Sequence, residues 1–221
     1  MKNILYIIAL TITLTFSSCS TETSYYDTLG EGQIDRVFTG SEDDIINYIG
    51  QPAYNELTEV LKFPINLGST PPTITGNFLM NEIGEYDVSA SVFDGPFGYY
   101  VQFLMDSQDN DGSTINYVAR FLNYGLDGIA FTSDDELIAQ ETGIGDSFVS
   151  GDTASNNFTV IVKTQVATDR IDIIALSGKR GITTIISVQY AFVHFDNGDP
   201  YTGSVENSSR LIDWDGTSEG F

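Results

Sequence analysis

The chain has 221 residues and carries 31 Asp and Glu against 9 Lys and Arg, a formal net charge of −22 at pH 7. So acidic a surface repels phosphate backbones and anionic headgroups, which excludes nucleic acid as a partner and electrostatic adsorption as a route to a membrane. A single cysteine leaves no intramolecular disulfide to form, so a packed core must stabilise the fold, and 14 Phe with 12 Tyr supply material for one.

In chain order, Lys2 precedes an apolar run from Ile4 to Phe16, and small residues lead on to Cys19. That is the layout of a secretory signal, shorter than the roughly 20 residues a bilayer span needs. Phe16-Ser17-Ser18-Cys19 resembles the lipobox of bacterial lipoproteins, with Phe16 where Leu is usual. The resemblance implies a signal peptide over 1–18, lipidation of Cys19, and a mature protein held in the cell envelope by the acyl chains on that residue. One chain holds marginally, whereas several anchor permanently. Ser20 in place of Asp after the lipidated position agrees with the family's signal for transport to the outer membrane. Residues 19–40 are small, polar or acidic and read as a flexible tether to a single domain over 41–221.

Ser41-Glu42-Asp43-Asp44 is a helix start, with a hydroxyl cap and acids in the first turn. Ile45, Ile46 and Ile49 then share a face, Gly50 stops the helix, and Pro52 opens a second one to about Leu61 with Tyr54, Leu57, Val60 and Leu61 as its stripe. This helical preface over 41–62 either plugs one end of a β domain or packs on its outside. From Ile74 the period changes to two. Strands are expected over 74–81, 86–93, 99–106, 115–124, 136–142, 158–166, 171–177, 183–196 and 208–214, with one face buried and one wet, as antiparallel sheets allow. The stretches 84–98 and 142–157, rich in Gly, Ser and Asp, are the longest candidate rim loops.

Three stretches resemble a group of uncharacterised bacterial lipoproteins with lipocalin-like, or calycin-like, domains: Phe63 to Phe78, Asn157 to Val160, and Ser177-Gly178 with Gly181-Ile182 and Tyr190-Ala191-Phe192. The resemblance implies a mainly β fold, an antiparallel up-and-down barrel of about 8–10 strands behind the two helices. It carries no catalytic fingerprint, and Gly76-Asn77-Phe78 stands where true lipocalins have Gly-x-Trp.

The chemistry-bearing residues are few. His194 is the only histidine, and alternation puts it on one face with Tyr190 and Phe192. If that face looks inward, His194, Tyr190 and Phe192, with Tyr99 and Phe103 from another aromatic strand, are candidates to hold a small apolar or amphipathic ligand. No partner nucleophile or metal cluster accompanies His194, so the reading is of a noncatalytic binding protein and not an enzyme. The alternative is a surface interaction module that takes glycan or a partner protein through exposed loops and Tyr25, Tyr26, Tyr100 and Tyr201. No cofactor is expected beyond structural calcium at two Asp-rich turns, Asp109 with Asp111, and Asp127 with Asp134 and Asp135. The first imitates half of an EF-hand loop but has Val118 where a bidentate Glu is required.

Overall fold

The computed structural model describes residues 38–109, 111–145, 147–167, 170–195, 198, 203–213 and 217–220. The lipobox with Cys19, nearly all of the tether, and Tyr25, Tyr26 and Tyr201 lie outside the described residues.

The preface forms as its caps dictate. Helix α1, Glu42–Ile49, starts at Ser41, whose hydroxyl accepts the Asp44 N–H, and ends at Gly50, where φ is 82°. The buried Asp44 carboxylate takes both the N–H and the hydroxyl of Thr39, tying the chain ahead of the helix to its first turn. Helix α2, Gln51–Asn55, has Pro52 in its first turn and runs into a π-helical turn, Glu56–Val60. The wider turn carries one extra residue, so the apolar stripe shifts: Ala53 and Leu57 are buried, but Val60 is left 54% exposed, against the expectation from a regular helix.

Thirteen strands follow among the described residues, more than the 8–10 expected, all paired antiparallel except the two-residue β1. They are β1 Ser69–Thr70, β2 Gly76–Met80, β3 Ile83–Asp87, β4 Val92–Asp94, β5 Tyr99–Asp106, β6 Thr114–Asn123, β7 Glu136–Thr142, β8 Ser147–Asp152, β9 Asn157–Ala167, β10 Arg170–Arg180, β11 Ile185–Phe195, β12 Val205–Asp213 and β13 Thr217–Gly220. The pairings run β2-β5-β6-β8-β9-β10-β11, and two long strands are shared. Strand β6 pairs β8 at Thr114 and Ile115 and β7 farther on; β11 pairs β13 at Ile185 and Ile186 and β12 farther on. Strand β13 also pairs β2, and the β3–β4 hairpin joins the outside of β12.

Two sequence expectations fail here. The strand expected over 86–93 is a hairpin, because the Asp87 carboxylate accepts Ser89 N–H at 2.8 Å, its hydroxyl at 2.7 Å and Ala90 N–H at 3.1 Å, closing a turn that extended backbone cannot make. The rim loop expected over 142–157 contains β8, whose first five residues are buried.

Alternation sorts the core. Val160 and Val162 on β9, Ile174 and Leu176 on β10, and Phe103 and Met105 on β5 point into one apolar cluster with Phe78, Tyr117, Phe158 and Tyr190. The opposite face of β8 to β11 is not wet, because the preface covers it: Tyr48 of α1 meets the Phe148 ring edge-on at 4.6 Å, Phe38 stacks on the same ring at 4.4 Å, and Lys163 Nζ lies 4.3 Å from the Tyr48 ring centre. Burial on both faces is why β10 is buried at eight consecutive positions. The helices therefore pack on the outside of the sheet rather than among its core residues.

The connection from preface to sheet is pinned by contacts only small or amide side chains allow. Gly151 N–H donates to Gly68 O and Gly68 N–H to Gly40 O, each at 3.0 Å, and a Cβ on Gly68 would lie 2.3 Å from the Gly151 carbonyl oxygen. Beside them, Asn66 Nδ2 donates to Phe158 O at 2.9 Å and to Ser177 Oγ at 2.8 Å.

Candidate functional site

At one end of the apolar cluster the inner face turns polar. Register places Asp172 of β10 opposite His194 of β11, and their side chains meet with Nδ1 2.5 Å from Oδ1. Asp172 is only 2% exposed, with the Arg170 guanidinium 3.5 Å away on its solvent side. From the far side comes Glu141 on β7, which receives a short hydrogen bond from the Tyr190 hydroxyl. A β-bulge at Phe121 and Leu122 shifts the β6–β7 register on the strand that carries it.

Between these groups lies an open recess of about 360 Å³. Its walls are Tyr99, Phe121, Ile138, Ala139 and Phe192, and its polar lining is Glu141 and His194. The aromatic walls brace one another: Tyr99 stands 6.2 Å from Phe121, Phe121 meets Tyr190 edge-on at 5.9 Å, and Phe192 lies 4.8 Å from the His194 ring.

The electrostatics follow from burial. Burial raises the Glu141 carboxyl to about 7; the Tyr190 hydrogen bond and His194 pull down, and the Asp172 charge pushes up. Tyr190 and Tyr117, both wholly buried, are held well above the usual phenol range: Tyr190 by burial and then by Tyr117 and Glu141, and Tyr117 by burial and Glu141 against the lowering effect of its hydrogen bond with Tyr190. Burial first, then the Glu85 carboxylate, raises Tyr99. The recess therefore offers an aromatic wall, a carboxyl poised between its two protonation states at neutral pH, and an imidazole oriented by a buried carboxylate. Among the described residues no Ser, Thr, Cys or Lys lines it.

Of the ligand-binding candidates, the structure brings Tyr99, Phe192 and His194 to the wall and puts Tyr190 behind Glu141. Phe103 is elsewhere: it is fully buried behind Tyr190 at 5.9 Å, within the apolar cluster. Sequence reasoning missed Glu141, Asp172 and Phe121. The available signal was Asp172, a carboxylate on the same alternation as Ile174 and Leu176 in an otherwise apolar strand.

The Asp-rich turns are separate from this recess and close on themselves. Asp109 accepts Thr114 Oγ1 at 2.8 Å, and Asp111 accepts the Ser113 N–H at 2.9 Å. Asp135 holds Gly125 N–H at 2.8 Å, Thr132 N–H at 3.0 Å and the hydroxyl of Tyr100 at 2.8 Å. Asp134 holds Leu126 N–H at 2.6 Å, and Asp127 holds Ile129 N–H at 2.9 Å. Among the described residues no group of three or more His, Cys, Asp and Glu side chains is arranged to hold a metal ion. Tyr100, offered above as an outward aromatic, is fully buried beneath this turn.

No helix among the described residues is long and apolar enough to cross a membrane. Neither a protein-family model, nor a curated protein, nor a solved structure matches the chain. What stands is a mainly β, largely antiparallel protein with two short helices and an aromatic recess at one end of its core.

Proposed function

We propose that this is a noncatalytic lipoprotein of the cell envelope, anchored to the outer membrane through Cys19, whose domain binds a small apolar or amphipathic ligand in the recess walled by Tyr99, Phe121 and Phe192. The recess carries the reading. At about 360 Å³ it lies at the small end of ligand sites, mostly apolar with a few convergent polar groups, which is the composition such sites share. A calycin-like barrel is supported by the pairings that lead from β10 through β11 and β13 back to β2. In that reading the ligand sits at one end and not in the middle, which Phe103 and Tyr190 fill.

Titration with N-phenyl-1-naphthylamine, whose fluorescence rises in apolar surroundings, tests this. Saturable micromolar binding that Phe121→Ala weakens about tenfold is expected, since the change removes a ring from the wall. A signal that never saturates, or that Phe121→Ala leaves unmoved, refutes it.

The second reading, a module that docks a partner protein, draws on Leu126, Ile129, Phe131, Leu137 and Ile138, all exposed around one loop and β7. Replacing Leu126 and Ile129 by Ser abolishes partner capture if this reading holds and leaves naphthylamine binding intact if the first does.

A further inference from the structure

We infer that the ligand of this recess carries a cationic headgroup, an amine on an apolar body, and that Glu141 is the group that receives it. The inference rests on the binding function proposed above and adds the chemical class.

Its ground is the charge of the lining and of the groups set behind it, taken element by element. Glu141 comes from β7, Asp172 from β10, and the Glu85 carboxylate of β3 acts on the Tyr99 hydroxyl. Against them stand the imidazole of His194 and the guanidinium of Arg170, and the latter also reaches Glu206 of β12 at 3.9 Å. The phenols of Tyr99, Tyr117 and Tyr190 are neutral at pH 7, being raised from an already high starting point. If His194 is protonated its charge cancels that of Asp172; if it is neutral the pair carries a negative charge. The Arg170 charge is matched by Glu206 of β12, so in neither state does an unbalanced positive charge stand at the recess.

A carboxylate headgroup would meet the charge of Glu141 in the lining and of Asp172 behind it, with the imidazole of His194 already set against Asp172. An ammonium group meets the opposite situation. It draws Glu141 into its ionised form, pairs with it in a site partly removed from water, and rests against the faces of Tyr99, Phe121 and Phe192, which attract cations through the ring quadrupole. Burying a cation costs solvation, and the paired carboxylate with three ring faces offsets that cost. Because Glu141 titrates near 7, amine binding at neutral pH releases about half a proton per ligand.

The test displaces N-phenyl-1-naphthylamine from the full-length protein with decylamine, decanol and decanoate, matched in chain length and kept below micelle formation, in 0.15 M and 0.5 M salt. Decylamine should displace at least tenfold more tightly than decanoate, with decanol between. The preference should survive the higher salt, which screens the acidic surface but not a buried pair. Glu141→Gln, which keeps an acceptor for Tyr190, should bring decylamine to within about threefold of decanol. Calorimetry in two buffers of different ionisation enthalpy should show proton release in the wild type and none in the variant. Decanoate binding as tightly as decylamine overturns the inference while leaving the binding function standing. So does an amine preference that vanishes in 0.5 M salt or persists in Glu141→Gln, since it would then belong to the general acidity of the chain. If none of the three displaces the probe, the binding function itself fails.

Discussion

Glu141 makes a prediction about stability that needs no ligand. Its carboxyl is raised in the folded protein from an ordinary 4.5 to about 7, mainly by burial, so the native state holds this proton more tightly than the unfolded chain. The sign follows: the stabilising contribution is fully present below about pH 4.5, is lost as pH climbs from 4.5 to 7, and is gone above 7. About 2.5 pKa units correspond to about 3 kcal/mol, an upper figure because the recess is open to solvent at its mouth. Glu141→Gln keeps an oxygen for the Tyr190 hydroxyl and removes the titration. The variant should match the wild type near pH 4.5 and exceed it by up to about 3 kcal/mol at pH 8, or roughly 6–12 °C in Tm for a domain of this size. Urea unfolding followed by far-ultraviolet circular dichroism at half-unit steps from pH 4.5 to 8.5 reads the difference directly. Comparing variant with wild type at each pH cancels the other carboxylates, such as Asp109, which hydrogen bonds from Thr114 and Ser113 keep below the usual range despite the opposing effect of burial. A variant-minus-wild-type difference that stays flat across this window refutes the reasoning.

Two further predictions concern the anchor and the latch. Cys19→Ser should yield an exported protein that takes up no clickable fatty acid and leaves the membrane fraction, because Ser cannot accept the diacylglyceryl group and the acidic domain has no electrostatic hold on a membrane; a labelled, pelleting Ser variant refutes the lipoprotein reading. Asn66→Ala should cost about 2 kcal/mol in urea unfolding with an unchanged m-value, since it strips a partner from Phe158 O and from the buried Ser177 hydroxyl; a loss under about 0.5 kcal/mol would mean water replaces the amide.

How far the sequence reaches depends on where a residue's environment comes from. Helix α1 was legible to the residue because its causes are local: the Ser41 hydroxyl caps Asp44 N–H, acids fill the first turn, and Gly50 supplies the positive φ that ends it. Strands β5, β6 and β9 to β11 were legible from period two. Strand β8 was not, since Ser147, Ser150 and Gly151 read as loop until β6 and β9 pair with them and the preface packs on top. Strand β13 has no apolar residue to betray it: Thr217 to Gly220 are a strand because β2 and β11 lend them partners. The up-and-down expectation likewise passed over the β3–β4 hairpin, whose turn is set by one Asp87 carboxylate and whose place beside β12 is nonlocal.

The recess shows the same division and why it matters for function. Alternation alone put Tyr190, Phe192 and His194 on one face, so two of the seven lining residues, Phe192 and His194, could be read from a single strand. What gives that wall its chemistry arrives from elsewhere in the chain: Asp172 by the β10–β11 register, and Glu141 across 49 residues from Tyr190 by way of β7. His194 in isolation is a weak functional signal, because an imidazole on a strand is usually a satisfied core or surface group. With a carboxylate 2.5 Å from one ring nitrogen and the Phe192 ring 4.8 Å away, it is packed in place beside the recess. Preorganisation of that kind lowers the entropy lost on binding. It also costs stability, since Asp172 and Glu141 occupy an inner face where apolar side chains would pack without any loss of solvation. A fold with no use for this end of its core would gain by replacing both, which is the physical argument for reading the recess as a binding site and not as an accident of packing.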